Sequence, residues 1–139
     1  MHTDNKFDLI VVGAGHSGIE ASLAAAKRGL KVALFTIKIE AIGRMSCNPS
    51  IGGPAKGHLA REIDALGGEL AKSADLSGIH FRMLNRSKGP AVWAPRSQND
   101  RQKYHLLMRE AIEKQENIHL IEATIEEIIV ENGCVQGVI

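Results

Sequence analysis

The stretch "FDLIVVGAGHSGIEASLAAAKRGLKVALFT", Phe7 to Thr36, decides the fold. Leu9 to Val12 is a short, uninterrupted apolar run of the kind buried on both faces of a parallel sheet, and it predicts a first strand. Gly13, Gly15 and Gly18 follow at G-x-G-x-x-G spacing. An alanine-rich helix then runs to a stop at Gly29, and Lys31 to Phe35 supplies a second strand. In such a β-α-β unit the first glycine permits the tight turn, the second lets backbone approach a pyrophosphate, and the third lets helix and strand pack closely. The helix N-terminus offers free N–H groups to the anion. Gly13, Ala14, Gly15, His16, Ser17 and Gly18 are therefore the candidate cofactor loop. The competing reading is a tight turn without ligand. His16 reads as a positioning residue rather than a general base. Thr36 stands where a Glu or Asp usually bonds the ribose hydroxyls; its own hydroxyl offers a contact without charge, and Glu40 is the fallback.

Composition bounds the rest. The 139 residues, 44% hydrophobic and only 4% aromatic, suit a single domain with an aliphatic α/β core. A formal charge of +1 argues neither for nor against nucleic acid. Its distribution is more informative. Arg82, Arg86, Lys88, Arg96, Arg101 and Lys103 face a single acid, Asp100, within that segment, whereas Glu110 to Glu131 is dominated by glutamates. Cys47 and Cys134 are the only cysteines and show no metal-knuckle or disulfide spacing, so no metal site is expected and a reducing cytoplasm fits. Asp4, Lys6 and Asp8 surround an apolar run too short for a signal peptide or a membrane span.

"RMSCNPSIGGPAKGHLAREIDALGG", Arg44 to Gly68, is polar, bent and basic. Gly52, Gly53 and Gly57 around Lys56 suggest a nest of backbone N–H groups for a second anionic part of a nucleotide; the alternative is a flexible connection. Cys47 has Arg44, Lys56 and His58 nearby in sequence, and cations raise the thiolate fraction of a cysteine. A buried packing role for Cys47 stands equally. Gly57 to Leu66 has helical periodicity ending at Gly67-Gly68. "GIHFRML" is a strand or the approach to a loop. "NRSKGPAVWAPR" is expected to be irregular because Pro90 and Pro95 bracket it. Ser97 with Asp100 predicts the start of a helix with Tyr104, Leu107, Met108 and Ala111 on its buried side. "IHLIEATI" predicts a third core strand, and Asn132-Gly133 a hairpin turn near the end.

"VGAGHSGIEASLAAA", "MSCNPSIGGPAKGHLAREIDALGG", "FRMLNRSKGPAVWAPRSQNDR" and "IVENGCVQGV" together resemble the amino-terminal part of the glucose-inhibited division protein A family, from Phe7 onward. "SCNPSIGG" followed by "KGPAVWAPR" is more specific than any dinucleotide fingerprint. The resemblance implies a Rossmann-like FAD-binding fold of the glutathione-reductase type, three-layered and incomplete, with the start of a β-meander at the C-terminus. It makes residues 1–139 a partial FAD-binding domain.

The same resemblance implies roles. Gly13 to Gly18 would hold the FAD pyrophosphate, Ile125 would meet the adenine end through its backbone, and Thr36 becomes the expected residue at its position. The "SCNPSIGG" loop, with Asn48, Gly52 and Gly53, would run along the flavin, and Cys47 would be a candidate for covalent or acid-base participation. The implied enzyme is a cytoplasmic homodimer that works with a GTPase partner. It would install a carboxymethylaminomethyl group on the wobble uridine of tRNA from methylenetetrahydrofolate, with NADH as reductant and glycine or ammonia as the amine. Members of the family are several times longer, so the isolated chain is expected to be inactive, as a fragment or an incomplete version. Two other readings are another FAD- or NAD-linked oxidoreductase, such as the folate-dependent tRNA methyltransferase flavoproteins, and a non-catalytic nucleotide-binding module.

Overall fold

The computed structural model describes residues 6–46 and 48–139. In chain order these form β1 (Leu9–Val12), α1 (His16–Lys27), β2 (Val32–Thr36), β3 (Ser50–Gly52), α2 (Lys56–Ala65), α3 (Leu70–Ser77), β4 (Gly78–Leu84), β5 (Ala94–Asn99), α4 (Arg101–Lys114), β6 (Ile118–Glu122), β7 (Ile128–Glu131) and β8 (Cys134–Val138). The chain divides into two compact units, Met1–Ile42 with Ile112–Ile139, and Gly43–Ala111. Among the described residues no helix is long and apolar enough to cross a membrane.

The first unit is built on a parallel sheet of order β1-β2-β6. Leu9 pairs with Val32 and Val32 with Ile118, so β2 is the middle strand, and Val32, Ala33 and Leu34 are fully buried there. That is why the sequence of β2 is unbroken apolar. α1 crosses between β1 and β2 and buries Ile19, Leu23, Ala25 and Ala26. Ala25, Ala26 and Val32 pack together with Leu9, Val11 and Ile118. A glycine inside a helix costs about 1 kcal/mol relative to alanine. Burying a side chain such as Ile19 contributes about 1.5–3 kcal/mol, which more than offsets Gly18. The predicted helix stop is observed: Gly29 has φ +85° and its amide donates to Ala26.

The third strand of the sheet, β6, is half-buried because it lies at the sheet edge. Asn132 and Gly133 both have positive φ, 52° and 77°, and turn β7 back into the antiparallel β8, as the Asn-Gly pair predicts. At the start of the sheet the Lys31 amide donates to Asp8 Oδ2 at 2.8 Å. Its ammonium lies 4.9 Å from the centre of the Phe7 ring, which meets His119 edge-on at 5.2 Å.

The second unit has an antiparallel sheet of order β3-β5-β4, with α2 and α3 packed on it. "GIHFRML" is the strand β4, paired with β5 along most of its length. The expectation that "NRSKGPAVWAPR" lacks regular structure is corrected in part. Arg86–Lys88 and Pro90–Val92 are single 3-10 turns, but Ala94, Pro95 and Arg96 already belong to β5, the middle strand. Proline is tolerated there because β3 pairs only as far as Arg96, so Pro95 faces no ladder acceptor on that side. Its carbonyl accepts from the Gly53 amide at 2.9 Å instead.

The start of α4 is also corrected. Ser97 lies inside β5, and the cap is Asp100, whose Oδ1 accepts from the Lys103 amide at 2.9 Å. Tyr104, Met108 and Ile112 are the buried residues of α4, at i, i+4 and i+8, while Leu107 and Ala111 are half-buried.

Candidate functional site

Three strands of the first unit end on the same side of its parallel sheet, the side where open α/β sheets bind ligands. The loop after β1 carries Gly13, with φ +99°, and the buried Ala14. Gly15 is the N-cap of α1 in extended conformation, φ −76° and ψ −178°, and no side chain caps the helix. The first turn holds no acidic residue, and the first backbone bond is from Ile19 to Gly15. The amides of the first turn are thus presented to an anion, with the helix dipole behind them.

The glycines of this loop do different things. A Cβ on Gly18 would collide with the Gly13 carbonyl and crowd Val11, so Gly18 is required by the helix-strand contact. A Cβ on Gly15 would meet nothing within 4 Å. A pyrophosphate fits this arrangement: a helix N-terminus without a side-chain cap, no competing carboxylate in the first turn, and room at Gly15.

Thr36, at the end of β2, is buried, and its hydroxyl donates to the Lys38 carbonyl at 3.2 Å. Its proton is thereby committed to the local turn, leaving the oxygen as an acceptor. Glu40 is exposed on the 3-10 turn Ile39–Ala41. That turn is held by Glu122, which sits opposite Thr36 in the register and accepts from the Ile39 amide at 2.8 Å. Sequence reasoning passed over Glu122; the available signal was an acid closing the apolar run "IHLI" at the same level of the sheet. Ile125 follows β6, half-buried, after the Ala123 amide has bonded the Thr36 carbonyl at 2.9 Å. Gly13 to Gly18, Thr36 and Ile125 all belong to this unit.

Asn48, Gly52 and Gly53 belong to the second unit. Cys47 lies outside the described residues. The exposed Asn48 accepts at its carbonyl from the Ser50 amide. The amides of Gly53, Lys56 and Gly57 donate to the carbonyls of Pro95, Pro54 and Gly53, so those three are spent inside the protein rather than free for an anion nest. Gly52 and Gly57 answer to packing, since a Cβ on either would run into the Pro95 carbonyl. The antiparallel sheet and the helices α2 and α3 border an open cavity of about 350 Å³, mostly apolar, lined by Ile51, Ala60, Ala74, Phe81 and Met83, with Asp64, Asp75, Arg82 and Arg96 among the others.

A family model for glucose inhibited division protein A matches residues 8–139. The chain belongs to that family. It is 61% identical over its whole length to the tRNA uridine 5-carboxymethylaminomethyl modification enzyme MnmG of Thermodesulfovibrio yellowstonii, and spans 22% of that protein. The crystal structure of Aquifex aeolicus GidA (form II) superposes with a TM-score of 0.93 at 50% identity, covering 99% of this chain and 23% of that one. PqsL, a probable FAD-dependent monooxygenase from Pseudomonas aeruginosa, matches with a TM-score of 0.67 at 15% identity over 96% of this chain and 38% of its own, which extends the likeness of fold beyond the family. The family member described here therefore has a partial α/β fold of Rossmann-like type, with the glycine loop at its sheet end.

Proposed function

We propose that this chain is the FAD-pyrophosphate-binding segment of a flavoenzyme that modifies tRNA. The uncapped α1 N-terminus over the open face of Gly15 carries the reading. The 61% identity to an enzyme named for 5-carboxymethylaminomethyl modification of tRNA uridine supplies the substrate. In this reading the amides of the first turn of α1 bind the FAD pyrophosphate and Gly15 keeps its approach clear. Thr36 and the backbone at Ile125 border the adenosine half. FAD, when bound, supplies the redox chemistry, and the protein supplies orientation and electrostatics. Asn48, Gly52 and Gly53 would serve the flavin side, with Cys47 as a thiol in the reaction.

The finer proposal follows the family resemblance. The uridine is the wobble base, methylenetetrahydrofolate is the one-carbon donor, and NADH is the reductant. A GTPase is the working partner, and the enzyme is a cytoplasmic homodimer. The test is a visible spectrum and tRNA modification assay on the full-length enzyme. Oxidised-flavin bands that vanish in Gly15→Val support the assignment. A variant that folds and keeps its flavin would refute it.

A further inference from the structure

β4 and β5 are joined by residues 85–93, since Leu84 and Ala94 form the last pair between the two strands. No residue of this loop is buried, yet the loop is closely held to itself. Asn85, in the left-handed region at φ 59°, donates from Nδ2 to the Val92 carbonyl at 3.2 Å. Trp93 Nε1 donates to the Arg86 carbonyl at 3.2 Å, so the single tryptophan of the chain is tied by its polar edge and is still 42% exposed. Gly89 joins the two 3-10 turns at φ 97° and ψ 160°, a conformation that glycine alone adopts readily. Arg86 and Lys88 are exposed and have no ion pair among the described residues. No Asp or Glu occurs between Asp75 and Asp100. Ala91 and Val92 border a hollow completed by Pro54, Ala55 and His58, again without a carboxylate.

We propose that residues 85–93 form a platform for single-stranded RNA, on which the Trp93 indole stacks against one base and Arg86 and Lys88 take the neighbouring phosphates. An indole face accepts any base, and cations beside it follow the backbone. Because the Arg86 carbonyl holds the indole edge, the guanidinium branches from the residue against which the ring is anchored. The loop is ordered before any ligand arrives, which lowers the entropy lost on binding. A protein partner fits less well, because the cores of protein interfaces are depleted of lysine. The RNA rests on the function proposed above; the stacking and phosphate chemistry rest on the loop itself.

The experiment uses the full-length enzyme and its variants Trp93→Ala, Trp93→Phe, Arg86→Gln and Lys88→Gln. Each is measured for flavin absorbance, for Tm as a check on folding, and for tRNA affinity across a salt series. Trp93→Ala is expected to lose about tenfold or more in affinity with its salt dependence unchanged, whereas Trp93→Phe, which keeps a stacking face, retains most of the affinity. Arg86→Gln and Lys88→Gln should each remove about 0.7 from the slope of log K against log salt, the share of one phosphate in a single strand. Salt slopes unchanged in both cation variants overturn the proposal. Parent affinity in Trp93→Ala overturns it too, and altered sedimentation of that variant would give the surface to a protein contact instead. If Trp93→Phe falls as far as Trp93→Ala, the indole serves only to hold the loop through Arg86, and the stacking platform is refuted. A flavin-bearing parent that binds no tRNA removes the substrate proposed above together with this platform. A parent that modifies tRNA, with all four variants at its own affinity, removes the platform alone.

Discussion

Gly18 of α1 approaches the carbonyl of Gly13 so closely that no side chain fits between them, while Gly15, three residues earlier, faces open space. The two glycines therefore predict opposite phenotypes. Gly18→Ala forces helix and strand apart and should cost about 1–3 kcal/mol of stability in denaturant unfolding. Gly15→Val keeps an extended backbone that valine adopts readily, so stability should change little. Its FAD affinity should fall below detection, because the added side chain occupies the ligand's approach. Titration of the refolded apoenzyme with FAD checks both.

Glu122 holds the Ile39 amide across the end of the sheet, and a charged acceptor makes that a strong bond. Glu122→Ala should cost about 0.5–1 kcal/mol at the turn, below the usual range for hydrogen bonds to charged groups because this one is exposed to solvent. Hydrogen exchange localises the effect. The Ile39 amide should lose protection while those of Val32 to Leu34 keep theirs. Equal loss at both would mean that Glu122 supports the whole sheet.

Asn99 is almost fully buried and joins β5 to α3 through bonds to the Ala74 carbonyl at 2.6 Å and Ser77 Oγ at 3.0 Å. Its own Oδ1 has no partner. Asn99→Ala removes two bonds, leaves the Ala74 carbonyl buried without this donor, and opens a cavity. A loss of about 1–3 kcal/mol should follow. Asn99→Asp should do worse, since it exchanges the donor for a buried negative charge beside that carbonyl. Chemical denaturation of both variants against the parent measures the order.

For Cys47 the expectation is chemical rather than structural. Cys47→Ala in the full-length enzyme should keep FAD bound and lower tRNA modification about a hundredfold or more, the scale of a positioned acid-base or nucleophilic group. Cys134 is exposed at the start of β8 and provides the control, with Cys134→Ser retaining activity. Normal turnover in Cys47→Ala would assign that thiol to packing.

The parts of the fold legible in the sequence were those whose cause is local. Gly13 to Gly18, the helix stop at Gly29 and the Asn132-Gly133 turn each act within a few residues, and each is where the pattern puts it. Gly52 and Gly57 looked like an anion nest because their real neighbour, the carbonyl of Pro95, is some forty positions away in the chain. Pro95 itself looked like a strand breaker, and only the short reach of β3 makes it acceptable in a middle strand. Ser97 passed for a helix cap until the register placed it in β5 beside Ala74. Of the site, the loop at α1 was readable. The role of Glu122 was not, since it depends on which strands are neighbours.

One carbonyl oxygen, that of Pro95, is ringed by Gly52, Gly53 and Gly57. These four positions cannot drift independently as lineages diverge, and they form a single heritable unit split between two distant stretches of the gene. A revertant screen started from Gly57→Ser should find its second-site suppressors around codons 93 to 97, far along the message from the lesion. It should find few in the codons of α2, although they lie beside it.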